Sequence, residues 1–421
     1  MADDIVWYAG LDWGGETHWV CLLNAQGGKH AEHSVAHGGA GLAELCRWLS
    51  DTTQVAPVQI AVAIETPHGP VVDALLAHGA QVYALNPKQL DRFRDRFTLA
   101  GAKDDRRDAL VLASALRTDR HAFRQLAAGD PQLIQLREVT HMAEELKRER
   151  IRLTNRLREQ LWRYFPQMLQ LPDELHDEWF LTLWLQAPTP AKAARLHTQT
   201  LARLLKAHRI RRLDADAVRA ILRQPALPVA PGVTEAATTH IRSLISRIRL
   251  ANQQIKQVDQ RIDALCIALA PPQAAAPGDT LPGQSVEQRD GAILRSLPGL
   301  GRLTLATLLA EATEPLRRRD YHALRALCGA APVTKRSGKT RLVLRRLACN
   351  KRLANALYHW ARTASLHDPR SRARYSELRR RGHTHGRALR TVGDRLLALA
   401  CTLLSRQVLF DPAYPARQRG A

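Results

Sequence analysis

The chain reads as an α/β domain joined to an all-α remainder. Three observations predict this. The first 120 or so residues alternate short β-rich apolar runs with amphipathic segments. From about residue 130 the apolar residues recur at three-four spacing over long stretches. A tract rich in Pro, Ala, Gly and Gln, residues 271–290, then separates those stretches from a basic helical end. At 421 residues the chain exceeds one core of usual size, so two or three domains are expected.

Val6–Trp13, Thr17–Asn24 and Lys29–Ala36 have the composition of a three-strand meander, with Gly27-Gly28 at the second turn. Gly41–Ser50 has helical periodicity. Val58–Glu65 is a β-rich apolar run and is expected as a central strand. Pro70–His78 reads as a helix, Gln81–Leu85 as a strand and Lys88–Phe97 as a helix. A further helix opens at Asp105 and carries Leu110, Leu112 and Leu116. Three antiparallel strands followed by strand–helix repeats is the layout of a ribonuclease H-like domain, placed at residues 1–125.

Residues 130–270 change character. Leu136, Val139, Ala143, Leu146, Leu153 and Leu157 form a stripe that Arg150 interrupts. Ile241, Leu244, Ile248, Ala251, Ile255, Val258, Ile262 and Leu265 form an unbroken heptad seam. Two long helices with a helical insert at about 172–230 predict an antiparallel hairpin or a dimerising coiled coil. The regular heptad favours self-association over internal packing. Residues 271–290 are read as a linker, 291–408 as a basic helical domain and 409–421 as a loose tail.

Lys plus Arg is 62 against 40 for Asp plus Glu, a net charge of +22. Such an excess favours a polyanionic partner. No apolar stretch has transmembrane length, so a membrane role is not expected. The start, Met-Ala-Asp-Asp, does not read as a signal peptide. The six cysteines (Cys21, Cys46, Cys266, Cys328, Cys349 and Cys401) form no Cys-x-x-Cys pair, which argues against a zinc ribbon or disulfide framework and fits a reducing cytoplasm.

Four acids carry the first chemical signal. Asp12 lies in the strand Tyr8-Ala-Gly-Leu-Asp12-Trp, and Glu65 ends the strand Gln59–Glu65. Asp105 and Asp108 stand three apart at a helix start, on one face. Each alone has an ordinary explanation: a turn cap before Gly14-Gly15, a charge ahead of Pro67, or acids favoured by a helix dipole. Together, strand-Asp, strand-Glu and helical Asp-x-x-Asp form a hard oxygen set for divalent ions, one or two Mg²⁺, as in-line displacement at a phosphodiester requires. Lys103 precedes the pair and is placed to touch a phosphate, or to be a solvated helix-start lysine.

The second signal is Ala331-Pro-Val-Thr-Lys-Arg-Ser337-Gly-Lys-Thr-Arg. A Ser-Gly turn exposes its hydroxyl, and Lys335, Arg336, Lys339 and Arg341 surround it. From Tyr321 through His367 there is no acidic residue, and Arg345, Arg346, Lys351 and Arg352 add charge. This is the strongest phosphate-binding segment in the chain. On chemistry alone Ser337 reads first as a turn serine, because an unactivated hydroxyl is a weak nucleophile. A third motif, Leu297-Pro298-Gly299-Leu-Gly301, is either a helix-hairpin-helix whose amides meet phosphates or a tight corner with two packing glycines. His359, His383 and His385 accompany the basic half, as do Tyr321, Tyr358 and Tyr375, and nothing in their spacing singles one out.

In order along the chain, Gly10-Leu-Asp12, Ile64-Glu65, Lys103-x-Asp105-x-x-Asp108-Ala, Leu297-Pro-Gly-Leu-Gly, Ala331-Pro-Val-Thr-x-x-Ser337-Gly-Lys and Arg346-x-x-Cys-Asn350 resemble the DEDD transposases of insertion-sequence family 110, relatives of the Piv-type DNA invertases. The resemblance spans about residues 5–408. It implies a RuvC-like nuclease domain in which Asp12, Glu65, Asp105 and Asp108 bind Mg²⁺, and a C-terminal transposase domain in which Ser337 is the nucleophile. It also implies a covalent phosphoserine intermediate and active sites completed between protomers. The implied partners are donor and target DNA, a bridge RNA encoded by the element, and further copies of the chain as a dimer and a tetramer. Action at the bacterial nucleoid, in the cytoplasm, follows. Some branches carry a tandem serine; here Arg336 takes the first of those places, which leaves Ser337. A Piv-like invertase and a RuvC-like junction resolvase without a covalent intermediate are the alternatives. A purely architectural nucleic-acid binder would not need the four acids.

Overall fold

The computed structural model describes residues 5–96, 104–126, 129–269, 286–338 and 340–412. Two compact units divide at Asp130.

In the first unit, β1 (Trp7–Trp13), β2 (Thr17–Asn24) and β3 (Lys29–Ala36) form the meander. Then come α1 (Gly39–Thr53), β4 (Ile60–Ile64), α2 (Pro70–His78), β5 (Gln81–Ala84), α3 (Pro87–Arg94), α4 (Asp105–Asp119) and the short β6 (Arg124–Gln125). The six strands make one mixed sheet in the order β3-β2-β1-β4-β5-β6. β1 pairs antiparallel with β2 and parallel with β4, in register Gly10↔Ala63 and Leu11↔Ile64. All five residues of β4 are buried, as a central parallel strand between two layers requires. Alternation assigns the two faces. Ala9, Leu11, Val62 and Ile64 pack toward α1 and α2, whereas Ala61 and Ala63 pack toward α4.

The second unit opens with α5 (Pro131–Tyr164), continues through α6 (Glu178–Gln186), α7 (Pro190–Ala194), α8 (Thr198–Ala207) and α9 (Ala215–Leu222), and returns along α10 (Val233–Leu269). Leu133, Leu136 and Ala143 share a core with Val258, Ile262 and Leu265, while Leu153, Leu157 and Leu161 share one with Ile241, Leu244 and Ile248. The two helices therefore run antiparallel, and the heptad seam is filled within one chain. By itself the seam no longer argues for a dimer. Arg150 does not break the pairing, because its Nη1 donates to Asn252 Oδ1 at 3.2 Å across the two helices. The insert closes a core around Trp184, whose Nε1 donates to the Tyr164 hydroxyl at 3.0 Å.

Beyond this pair lie α11 (Val286–Ser296), α12 (Arg302–Glu311), α13 (Thr313–Arg317), α14 (Tyr321–Leu327), β7 (Val333–Ser337), β8 (Thr340–Leu344), α15 (Lys351–His367), α16 (Pro369–Arg380) and α17 (His385–Arg406). α11 begins inside the stretch read as linker; residues 270–285 lie outside the described residues. The fully buried Trp360 sits in a core shared by α12, α15, α17 and the ends of α5 and α10. Leu409 and Phe410, read as the start of a loose tail, pack against that core. The region is also not wholly helical, since β7 and β8 form an antiparallel hairpin. Its Val and Thr content and the turn at Gly338 favour strands over helix. Among the described residues, no helix is long and apolar enough to cross a membrane.

Candidate active site

The four acids are placed by the packing of α4 on β1. A Cβ on Gly10 would fall 2.0 Å from the Ala109 carbonyl oxygen, so only glycine lets the helix backbone lie on the strand there. The helix runs antiparallel to β1. Leu116, near its end, shares a core with Ile5, which precedes β1, and Arg117 reaches the Ala25 carbonyl at the β2–β3 turn. At its start, the Arg106 guanidinium lies 5.3 Å over the Trp19 ring, and Trp19 is the cross-strand partner of Asp12. The N-terminus of α4, with Asp105 and Asp108, thus stands at the sheet end that carries Asp12. Asp12 follows Gly10 by two residues and so points to the α4 side. Glu65 is the first residue after β4 and sits two beyond Ala63, on the neighbouring parallel strand.

The side chains differ in environment. Asp105 is exposed and Asp108 is 2 % exposed. Asp104 caps the helix by accepting from Arg106 N at 3.3 Å. Arg94 Nε donates to Asp108 Oδ1 at 2.8 Å, and Arg94 Nη1 donates to Asp91 Oδ1 at 2.8 Å. The hydrogen bond to Asp108 holds the Arg94 guanidinium above its usual value, against the opposing effect of burial. Sequence reading missed Arg94, because nothing separates it there from Arg92 and Arg96. Backbone placement and hard oxygen chemistry suit a divalent cation. Even so, among the described residues no three His, Cys, Asp or Glu side chains are gathered closely enough to hold a metal ion. Instead, the buried acid of the set is engaged by a guanidinium. Lys103 lies outside the described residues.

Ser337 stands at the tip of the β7–β8 hairpin, paired with Thr340 and exposed, with Gly338 at φ +54°. Lys335 pairs with Leu342, and Arg336 stands directly across from Arg341. Like charges in that position repel, an arrangement that a bound polyanion relieves. Lys335, Arg336, Arg341, Arg345 and Lys351 are exposed. Arg346 is turned inward, with Nε donating to the Ala331 carbonyl at 3.3 Å. Lys339 lies outside the described residues. The hairpin also exposes Leu342, Val343 and Leu344, and Leu347 just beyond it is exposed too.

The base of the hairpin is anchored. Asn350 caps α15 by accepting from the Arg352 and Leu353 amides, and its Nδ2 donates to Glu311 Oε2 at 2.7 Å. Glu311 also meets His141 Nε2 at 2.5 Å and Arg352 Nη1 at 3.4 Å, tying α12 to α5 and α15. Glu311 gave no sequence signal, since a lone acid at a helix end is common. At the Pro-Gly corner, Gly299 has φ +72° and a Cβ there would lie 2.5 Å from the Ala364 nitrogen, while Trp360 Nε1 donates to the Pro298 carbonyl at 2.9 Å. Its glycine serves close packing on α15. His385 meets the hydroxyls of Tyr375 at 2.7 Å and Tyr358 at 3.3 Å.

Residues 9–166 match the profile of the IS110-type DEDD transposase domain, and residues 291–376 match that of the IS116/IS110/IS902 transposase family. A Streptomyces coelicolor protein, named for a transposase role in the IS117 mini-circle, is 33% identical over 97% of this chain and 96% of its own length. The 44.8 kDa protein of insertion element IS116 from Streptomyces clavuligerus is 26% identical over 99% of this chain and 98% of its own. The Sinorhizobium fredii protein y4uE is 58% identical over 51% of this chain, and the chain spans 60% of its length.

Proposed function

Because the chain belongs to the IS116/IS110/IS902 family of insertion-sequence transposases, we propose that it cuts and rejoins DNA with Ser337 as nucleophile and with Asp12, Glu65, Asp105 and Asp108 as a divalent-metal site. What supports this reading is that Asp12, Glu65 and the start of α4 lie at the same end of the sheet. A metal ion held there, Mg²⁺ by donor chemistry, would neutralise charge on the scissile phosphate. The RuvC-like assignment of the first unit agrees with the mixed sheet and the DEDD family match.

The chain's own groups do the rest. Lys335, Arg336 and Arg341 hold the phosphate at the hairpin tip, where no acid competes. The Ser337 oxygen bonds to phosphorus as the bond to the leaving sugar oxygen breaks; the serine gives its proton to water, and water returns one to the leaving oxygen. Basic side chains offset the charge that develops. Reversal on a second strand end releases Ser337 and joins the DNA. Donor and target are chosen by a bridge RNA through base pairing, and the protein grips mainly backbones. Copies of the chain assemble as a dimer and then a tetramer. The exposed Leu342, Val343, Leu344 and Leu347 suit a partner contact by which one protomer completes another's site.

The test is to incubate protein, the element's RNA and end-labelled DNA with Mg²⁺, then resolve covalent adducts on a denaturing gel. Wild type gives an adduct that Ser337→Ala and Asp12→Asn abolish. An undiminished adduct from Ser337→Ala removes the serine from the mechanism.

A further inference from the structure

A cavity of about 210 Å³ lies in the C-terminal region between α16, α17 and the segment that follows α17. Its floor is apolar, formed by Val392, Leu396 and Leu399, with Phe410 and Pro298 as walls. Arg370, Arg374 and Arg395 line it as well. The wall is built in, because Phe410 N donates to Ser296 Oγ at 2.9 Å and Arg370 Nη2 donates to the Pro412 carbonyl at 2.6 Å.

Its polar groups are only partly used. Arg374 Nη1 donates to Glu377 Oε2 at 2.8 Å, yet Arg374 Nε is buried with no hydrogen-bond partner. A buried donor left open is costly and marks a place for an acceptor. Arg395 is exposed and makes no hydrogen bond or ion pair among the described residues. Asp368 also lines the cavity, but its Oδ2 already accepts from Ser371 N at 2.9 Å as the cap of α16. Three guanidinium groups thus face one engaged carboxylate. The volume lies below the roughly 300–1,000 Å³ of clefts for larger ligands, and suits one planar ring system.

We infer that this cavity receives a single unstacked nucleotide, with its base on the apolar floor against Phe410 and its phosphate at Arg370 and Arg395. An apolar slot bounded by an aromatic ring and guanidinium planes is what an extruded base requires, and flanking cations supply the charge match. Neither Ser337 nor any of the four acids lines it. The inference rests on the reading of the chain as a nucleic-acid enzyme. DNA and RNA offer the same chemistry here, so both are probed.

The experiment is calorimetric titration of the full chain with dAMP, AMP, deoxyribose 5-phosphate and inorganic phosphate. One or both nucleotides bind, at least about tenfold tighter than deoxyribose phosphate, as one stacked base contributes. Preference between dAMP and AMP reports which strand type occupies the slot. Arg395→Ala removes an exposed cation, and Leu399→Trp fills the floor without touching the arginines. Each weakens nucleotide binding about tenfold or more while the thermal midpoint stays near that of wild type. Equal binding of nucleotide and sugar phosphate overturns the proposal, as does nucleotide binding unaffected by a folded Leu399→Trp variant. No nucleotide binding also overturns it. In that case, retained binding of a long single-stranded oligonucleotide leaves the wider nucleic-acid reading standing, and loss of both removes that reading too.

Discussion

Arg94 Nε lies 2.8 Å from Asp108 Oδ1, and Asp108 is 2 % exposed, so a guanidinium from α3 neutralises the one buried acid of the quartet. Removing Arg94 leaves that carboxylate buried without its cation. Arg94→Ala is expected to lower stability by about 1–3 kcal/mol in urea denaturation. Added Mg²⁺ should recover more stability in this variant than in wild type, because a ligand that binds the native state alone stabilises it. Equal Mg²⁺ responses would count against a metal at Asp108.

Gly10 sets the distance between α4 and β1. A methyl group there meets the Ala109 carbonyl oxygen at 2.0 Å, a contact with rigid backbone. Gly10→Ala should destabilise by about 1–3 kcal/mol or more by overpacking. It should also move the start of α4 away from Asp12, with loss of DNA cleavage. Cleavage at the wild-type rate in a folded Gly10→Ala protein would separate the helix position from catalysis.

Gly338 presents Ser337. Its φ of +54° is left-handed, and open space surrounds its Cβ position, so the requirement is purely conformational. Gly338→Asn should keep adduct formation near wild type, whereas Gly338→Val should reduce it at least tenfold, from a backbone cost of about 1–2 kcal/mol. Global stability, read by thermal melting, should change little because the hairpin is exposed.

Glu311 holds three partners: His141 of α5, Arg352 of α15 and the α15 cap Asn350. Glu311→Ala leaves His141 and the Asn350 amide without this acceptor, while Arg352 keeps Glu144 at 2.7 Å, and should cost about 1–3 kcal/mol. Hydrogen exchange should speed at the Arg352 and Leu353 amides, which depend on the Asn350 cap. Unchanged protection there would show that the cap stands without Glu311.

Burial pushes the Cys266 and Cys401 thiols up to about 11 from an ordinary 9.0, with nearby Asp263 adding to the first and Asp320 to the second. The folded state therefore favours the protonated thiols. Their contribution is fully present below about pH 9 and is lost as pH rises toward about 11. The denaturation midpoint should fall between about pH 8 and about pH 10.5, and less so in Cys266→Ala/Cys401→Ala.

Local chemistry made much of this protein legible. The meander, β4, α2 and the start of α4 lie close to where periodicity and Gly/Pro punctuation set them, because those signals act over a few residues. The β7–β8 hairpin was seen only as a Ser-Gly turn, since its strands carry too much charge and no buried face to alternate against. Phe410 and Leu409 looked like tail because their partners, among them Ser296, lie more than a hundred residues away.

Residue types and their order along the chain determined the acidic quartet, the acid-free basic segment around Ser337 and the two long amphipathic helices. The tertiary structure alone decided that the heptad seam closes within the chain, that Arg94 takes Asp108, and that Glu311 anchors the hairpin's base. A heptad records that a face must be covered, not which helix covers it. Likewise a charge in sequence does not name its partner, because ion pairs form through space between segments that only the fold brings together.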